Sequence, residues 1–266
     1  MPRRRRRQQR STTGSSRRGT RRSSGATRRQ VRIEPGAVLE SVLDEIVSKA
    51  GLDLLGLERR DYAEILRPIV EGILSGYSSR PSRETLVSKI LGNLRPLYMY
   101  AAAYLVERFD RLNVDQLEFV VSNAPEIAAR NAARLYQELI SAGREDLVPL
   151  LRKAWEQFGN PTPVTCPYCG FRAVLPNYVC AICGREVKEK DIKAMIDFDS
   201  LLAEFVEFYG LGGVREALEK GYVVLKDTIY PPSEEEPLAL RLYLSRRDKE
   251  KLKNMISRAT VQRSSV

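Results

Sequence analysis

The chain has 266 residues, 43% of them hydrophobic, enough to build one large or two modest folded units. It contains no histidine and only four cysteines, which removes the usual general base and the Cys/His nucleophile pair and leaves most hydrolase mechanisms without their working groups. Its net charge of +10 hides a segregation: residues 1–33 hold thirteen arginines and no lysine or acid, residues 246–266 carry seven basic side chains against Asp248 and Glu250, and the stretch between them is about −8.

The first segment, MPRRRRRQQRSTTGSSRRGTRRSSGATRRQVR, offers only Met1, Ala26 and Val31 as apolar anchors before Ile33. It cannot bury enough surface to offset the entropy of ordering, so residues 1–33 are expected to be a disordered arm. Arginine forks match phosphate oxygens in pairs, and a run this dense releases counterions from nucleic acid without reading sequence. The candidate contacts to DNA or RNA are Arg3, Arg4, Arg5, Arg6, Arg7, Arg10, Arg17, Arg18, Arg21, Arg22, Arg28 and Arg29. The apolar face of a transit peptide is lacking, no secretory apolar region follows, and the longest apolar run, Pro96 to Val106, is too short for a bilayer. These features imply a soluble chain of the cytoplasm or nucleoid that makes no membrane contact.

Helical periodicity begins after Pro35. Leu39, Leu43, Ile46, Val47 and Ala50 form one stripe that stops at Gly51. A second helix is expected from Asp61, capped with Glu64, through Ile65, Ile69 and Ile73 to Gly76, bent at Pro68. A third opens near Ser82 and carries Leu86, Ile90 and Leu94 into Pro96, with a continuation over 98–108. Tyr98, Tyr100 and Tyr104, set among apolar neighbours, read as core rather than as stacking platforms. Asn123 with Glu126 starts another helix that turns Ala128, Ala132, Leu135 and Leu139 inward, and residues 147–158 make a short one before Gly159. Residues 34–160 therefore read as a helical domain.

Two prolines and a glycine within residues 159–163 mark a boundary. Immediately after it stand two knuckles, CPYCG and CAICG, which place Cys166, Cys169, Cys180 and Cys183 in C-x-x-C pairs, each followed by a glycine, with ten residues between the inner pair. Each knuckle sets two thiolates on one tight turn, and two facing knuckles make a tetrahedral cage with no open position, a structural rather than a catalytic arrangement. All four thiols are used, which leaves none for disulfides and agrees with a reducing compartment.

These knuckles resemble those of the zinc-ribbon superfamily, small β modules found in transcription, replication, ribosomal and RNA-modifying proteins. The resemblance covers residues 166–184 only and implies Zn²⁺ as the bound metal; rubredoxin-type iron sites share the same paired knuckles and stand as the alternative. Phe171, Val174, Leu175, Tyr178 and Val179 around the turn Pro176-Asn177 read as a short β-hairpin within a module spanning 161–187.

Residues 188–266 read as a small α+β domain: a helix through Phe205 and Phe208 to Gly210, a short one over 214–220, strands over 222–225 and 238–244 flanking an acidic connection, and a basic final helix from Arg246. The order is similar to that of a winged helix, but Glu216 and Glu219 on the second helix oppose phosphate contact. Asp197 and Asp199 form a D-x-D, read as a helix cap at Asp199 or Ser200 rather than a cation site. No phosphate-cradling or dinucleotide glycine motif is present.

The expectation is a mainly α protein with a helical domain, a four-cysteine ribbon and an α+β domain. Functionally it reads as a non-enzymatic, zinc-containing adaptor that holds DNA or RNA through its arm and a protein partner through its acidic body. The alternative is a structural protein that packages nucleic acid in chromatin or a virion.

Overall fold

A computed structural model describes residues 34–233 and 239–263, with side chains as far as Ser257. The segment 1–33, expected to be a disordered arm, and the acidic residues Glu234 to Glu236 lie outside these residues. The described chain is mainly α, with eleven helices and one three-stranded antiparallel sheet, and the described residues from Glu34 onward belong to one compact unit.

Helix α1 (Pro35–Lys49) turns Val38, Leu39, Val42, Leu43, Ile46 and Val47 inward, the i, i+3, i+4 spacing of an amphipathic stripe, and ends at Gly51 with φ 67°. Helix α2 (Arg59–Leu74) packs on it. It starts earlier than the sequence reading placed it: Glu58 is the cap, and its N–H donates to Asp61 Oδ2 at 3.0 Å, so Asp61 sits inside the first turn and Glu64 has no capping role. Asp61 is held there because Tyr104 donates a hydrogen bond to its other oxygen at 2.7 Å, a long-range contact that local pattern does not reveal. The helix runs without interruption through Pro68.

Helices α3 (Arg83–Leu91) and α4 (Leu94–Arg108) separate at Gly92-Asn93. Leu94 thus opens α4 instead of closing α3, and Pro96 falls in the first turn of α4, where its missing N–H has no intrahelical partner to lose. Of the three tyrosines read as core, Tyr98 and Tyr104 are half-buried with their hydroxyls bonded to Ala50 O and Asp61, whereas Tyr100 lies on the surface, 47% exposed. Helix α5 (Val114–Asn123) has no counterpart in the sequence reading, and Asn123 ends it rather than starting the next helix. Its cap is a reciprocal pair, Gln116 N–H to Asn113 Oδ1 at 2.9 Å and Asn113 N–H to Gln116 Oε1 at 3.1 Å.

Helix α6 (Pro125–Arg130) and helix α7 (Ala132–Ser141) are divided at Asn131, yet Ala128, Ala132, Leu135 and Leu139 all face inward as expected. Helix α8 (Val148–Phe158) packs along α6 and ends at Gly159. The segment 161–187 follows, crossed by three isolated antiparallel bridges, Thr165 with Arg172, Val174 with Cys180 and Val179 with Glu186. A continuous hairpin does not form, because the knuckle turns interrupt the ladder after each bridge.

Helix α9 (Glu189–Met195) leads to α10 (Phe198–Lys220), which bends at Gly210 (φ 56°, ψ −148°), a conformation only glycine adopts readily. Strands β1 (Tyr222–Leu225), β2 (Ile229–Tyr230) and β3 (Leu240–Tyr243) form a sheet in the order β2-β1-β3, one strand more than the sequence showed. Val223, Leu225, Ile229, Leu240 and Leu242 form its buried inner face. Helix α11 (Arg246–Arg263) begins with a capping box, Ser245 N–H to Asp248 Oδ2 at 2.9 Å and Asp248 N–H to Ser245 Oγ at 3.2 Å, and lies along α10.

Candidate metal centre

Each knuckle is a tight turn with the same internal bonds. In the first, Gly170 N–H reaches Cys166 O at 2.9 Å and Cys166 N–H reaches Phe171 O at 2.8 Å; in the second, Gly184 N–H reaches Cys180 O at 2.9 Å and Cys180 N–H reaches Arg185 O at 3.0 Å. Gly170 (φ 76°) and Gly184 (φ 71°) close the two turns in the left-handed region, which explains why a glycine follows each C-x-x-C. The knuckles face one another across the bridge from Val174 to Cys180 and the bond from Ala181 N–H to Ala173 O at 2.8 Å.

This brings all four sulfurs within 4.8 Å of one another, with Cys166 Sγ 3.7 Å from Cys183 Sγ and Cys169 Sγ 3.6 Å from Cys180 Sγ. A tetrahedral four-sulfur site with metal–sulfur bonds of about 2.3 Å has sulfurs about 3.8 Å apart, so the cage has the size a metal ion requires. Cys166, Cys169 and Cys180 are buried and Cys183 is half-buried. The donor set fits a soft or borderline cation, and four protein ligands leave no position for substrate.

The backbone is arranged to receive negative sulfur. Main-chain N–H groups of Ile182 and Cys183 point at Cys180, that of Phe171 at Cys169 and that of Arg185 at Cys183. The hydrogen bond from Cys169, with those two N–H groups, lowers the Cys180 thiol below its ordinary value, while donating that bond and being buried raises that of Cys169. Burial raises Cys183 as well. Cys166, Cys169, Cys180 and Cys183 would hold a divalent cation at the centre, and its charge would keep all four as thiolates.

Helices α7 and α8 supply the surroundings. Phe171 is fully buried and meets the Tyr136 ring edge-on at 5.7 Å, and the Arg152 guanidinium lies 5.9 Å from the centre of the Phe171 ring. Trp155 Nε1 donates to Arg172 O at 2.9 Å, and Arg172 Nε donates to Thr162 O at 3.0 Å, so the segment beyond the Gly159 turn is tied back to α8. Burial and the nearby Cys169 sulfur raise the Tyr136 phenol above its ordinary value. Arg152 Nε is buried with no hydrogen-bond partner and presses on Gly170, which places a fixed positive charge beside the first knuckle.

The four cysteines singled out by spacing are thus brought together. Asp197 and Asp199 are not: Asp197, in a left-handed conformation (φ 49°), caps α10 by accepting from Ser200 N–H at 3.4 Å and also accepts from Ser200 Oγ at 2.6 Å, and Asp199 pairs with Lys251. The cap is therefore Asp197, not Asp199 or Ser200. The arginines assigned to nucleic acid, Arg3 through Arg29, lie outside the described residues. Arg152, Tyr136 and Trp155, which surround the centre, carry no sequence signal that links them to cysteines further along the chain. Among the described residues no helix is long and apolar enough to cross a membrane. Comparison with protein-family models, with curated proteins and with solved structures gives no match.

Proposed function

We propose that this chain is a zinc-ribbon adaptor that grips nucleic acid through its arginine-rich arm and presents a metal-stabilised, acidic body to a protein partner. The observation that carries the reading is the concentration of thirteen arginines, with no acid, in the first 33 residues of a chain whose middle is net negative. Four thiolates in a closed tetrahedron favour zinc in a structural role, and this centre stabilises the body without taking part in chemistry. The reading assigns no catalytic step to any residue.

The arm supplies affinity by counterion release. If about six arginines engage phosphates together, the association constant for duplex DNA falls about a thousandfold between 50 and 200 mM salt. Deleting residues 1–32 abolishes this salt-sensitive binding and leaves a specific protein complex, recovered from host extract after nuclease treatment, intact. Retention of salt-sensitive binding by the shortened chain overturns the reading of the arm. Self-assembly with stoichiometric coating of nucleic acid establishes a packaging protein instead. Elemental analysis returns one zinc per chain; one iron per chain refutes the metal assignment.

A further inference from the structure

Helix α8 sends one cation to the four-cysteine cluster, and nothing in its neutral surroundings accounts for it. Arg152 lays its guanidinium against the first knuckle so closely that a Cβ on Gly170 would lie 2.9 Å from its Cζ, 3.1 Å from Nη1 and 3.3 Å from Nε. Only a glycine leaves room for it there. The same guanidinium is 5.9 Å from the centre of the Phe171 ring, the residue that follows Gly170. Arg152 is half-buried as a whole, but its Nε is fully covered and donates to nothing, the one such side-chain atom among the described residues. A buried N–H without an acceptor is destabilising by about 1–3 kcal/mol, which makes this an expensive place to keep an arginine.

The other arginines near the cluster are committed elsewhere. Arg172 Nε donates to Thr162 O at 3.0 Å, and the Arg185 guanidinium lies 5.3 Å from the centre of the exposed Tyr168 ring. Among the described residues no carboxylate pairs with Arg152. The missing counter-charge is supplied by the cysteines when they hold a metal. Four thiolates around a divalent cation leave two negative charges in excess, and around a trivalent cation one, so the loaded centre is anionic with zinc or with iron. Cys166, Cys169 and Cys180 are buried, and buried excess charge is costly unless an opposite charge lies close. The main-chain N–H groups aimed at the sulfurs carry partial charges only. Arg152 brings a whole one.

We propose that Arg152 is the counter-ion of the loaded four-cysteine centre, a positioning residue that raises its metal affinity and couples metal retention to the packing of α8. The proposal rests on the reading of the four cysteines as a metal site. Loading places negative charge beside a cation that the protein's own groups leave unpaired, so the assembled body favours the filled centre. The linkage is reciprocal: metal stabilises the body more when the cation is present than when it is absent.

The test uses the full-length chain, with Zn²⁺ affinity measured by competition with a chromogenic chelator and metal loss followed during acid titration. Arg152→Met keeps the length and apolar stem without the charge, and it lowers Zn²⁺ affinity about tenfold, within the range for removing a group that supports metal ligands. Because two to four thiols take up protons as the metal leaves, the same loss raises the pH of half-release by about 0.25–0.5 of a unit. Arg152→Lys restores most of both. Arg152→Gln, polar but neutral, behaves as Arg152→Met and replaces it if the methionine variant does not fold. The rise in melting temperature on adding Zn²⁺ is smaller in the neutral variants than in the wild type, whereas a packing role alone shifts the metal-free and loaded proteins equally. Unchanged affinity in a neutral variant, a loss that lysine does not restore, or an equal shift of both melting temperatures overturns the counter-ion. A wild-type chain that binds neither zinc nor iron overturns the metal reading itself.

Discussion

Replacing Phe171 with alanine tests whether the four-cysteine segment is an integral part of the body. The ring is fully buried between the first knuckle and helices α7 and α8, edge-on to Tyr136 at 5.7 Å and near the Arg152 guanidinium. Its neighbours have little freedom to fill the gap, since the Phe171 carbonyl is bonded to Cys166 N–H and Arg172, the next residue, is tied to Trp155. Truncating a buried phenylalanine, with its edge-to-face contact included, costs about 3–5 kcal/mol, which places this site near 4 kcal/mol. For a unit of this size that lowers the melting temperature by about 8–16 °C. Calorimetry and urea unfolding of the protein measure it, and Trp155, the single tryptophan, reports the same junction by fluorescence. Phe171→Leu keeps most of the buried volume and costs about 1.5 kcal/mol. A loss below about 1 kcal/mol for Phe171→Ala, or a variant whose four-cysteine segment loosens while helical unfolding stays unchanged, refutes the claim that residues 161–187 are docked on α7 and α8.

Other outcomes follow from the same contacts. Cys166→Ser, which removes a buried ligand, lowers bound metal well below one per chain by elemental analysis and broadens the amide spectrum of residues 161–187; full metal retention refutes a four-ligand site. Gly184→Ala costs about 1–2 kcal/mol for its left-handed backbone (φ 71°) alone, because nothing lies within 4 Å of the new Cβ, whereas Gly170→Ala also meets Arg152 Cζ at 2.9 Å and is the more damaging in denaturant titrations. Tyr104 is raised to about 12, chiefly by burial and then by its bond to Asp61. Its neutral form is therefore favoured by folding, so this contribution to stability is complete below about pH 10 and is lost as pH rises through about 12. Asp61→Asn shifts the Tyr104 titration, followed by ultraviolet absorbance, back toward 10; an unchanged midpoint counts against the contact.

Local pattern reached the helices whose stripes are amphipathic, and it failed where two caps were equally plausible in sequence. Asp61 with Glu64 and Glu58 with Asp61 are both acceptable pairs; Tyr104, 43 positions later, decides between them by bonding Asp61. The reciprocal cap of Asn113 and Gln116, an N-x-x-Q pattern, marks the start of α5, a helix that the sequence reading did not place. Gln116 is also fixed from outside its helix, donating to Leu55 O at 2.9 Å.

The order of the four cysteines and the glycine after each pair determined the four-sulfur cluster by themselves, because knuckle geometry is set within six residues and only the pairing of two knuckles remains. The arm's charge is equally a property of composition, independent of any fold. Tertiary structure alone decided what surrounds the cage and what the sheet exposes. Arg152 and Tyr136 meet Phe171 only after α7 and α8 pack, and Tyr222, Arg241 and Tyr243 share a face only through a register that joins β1 to β3 across residues 226–239. Contacts between residues far apart in the chain depend on where the core holds each element, which periodicity does not encode.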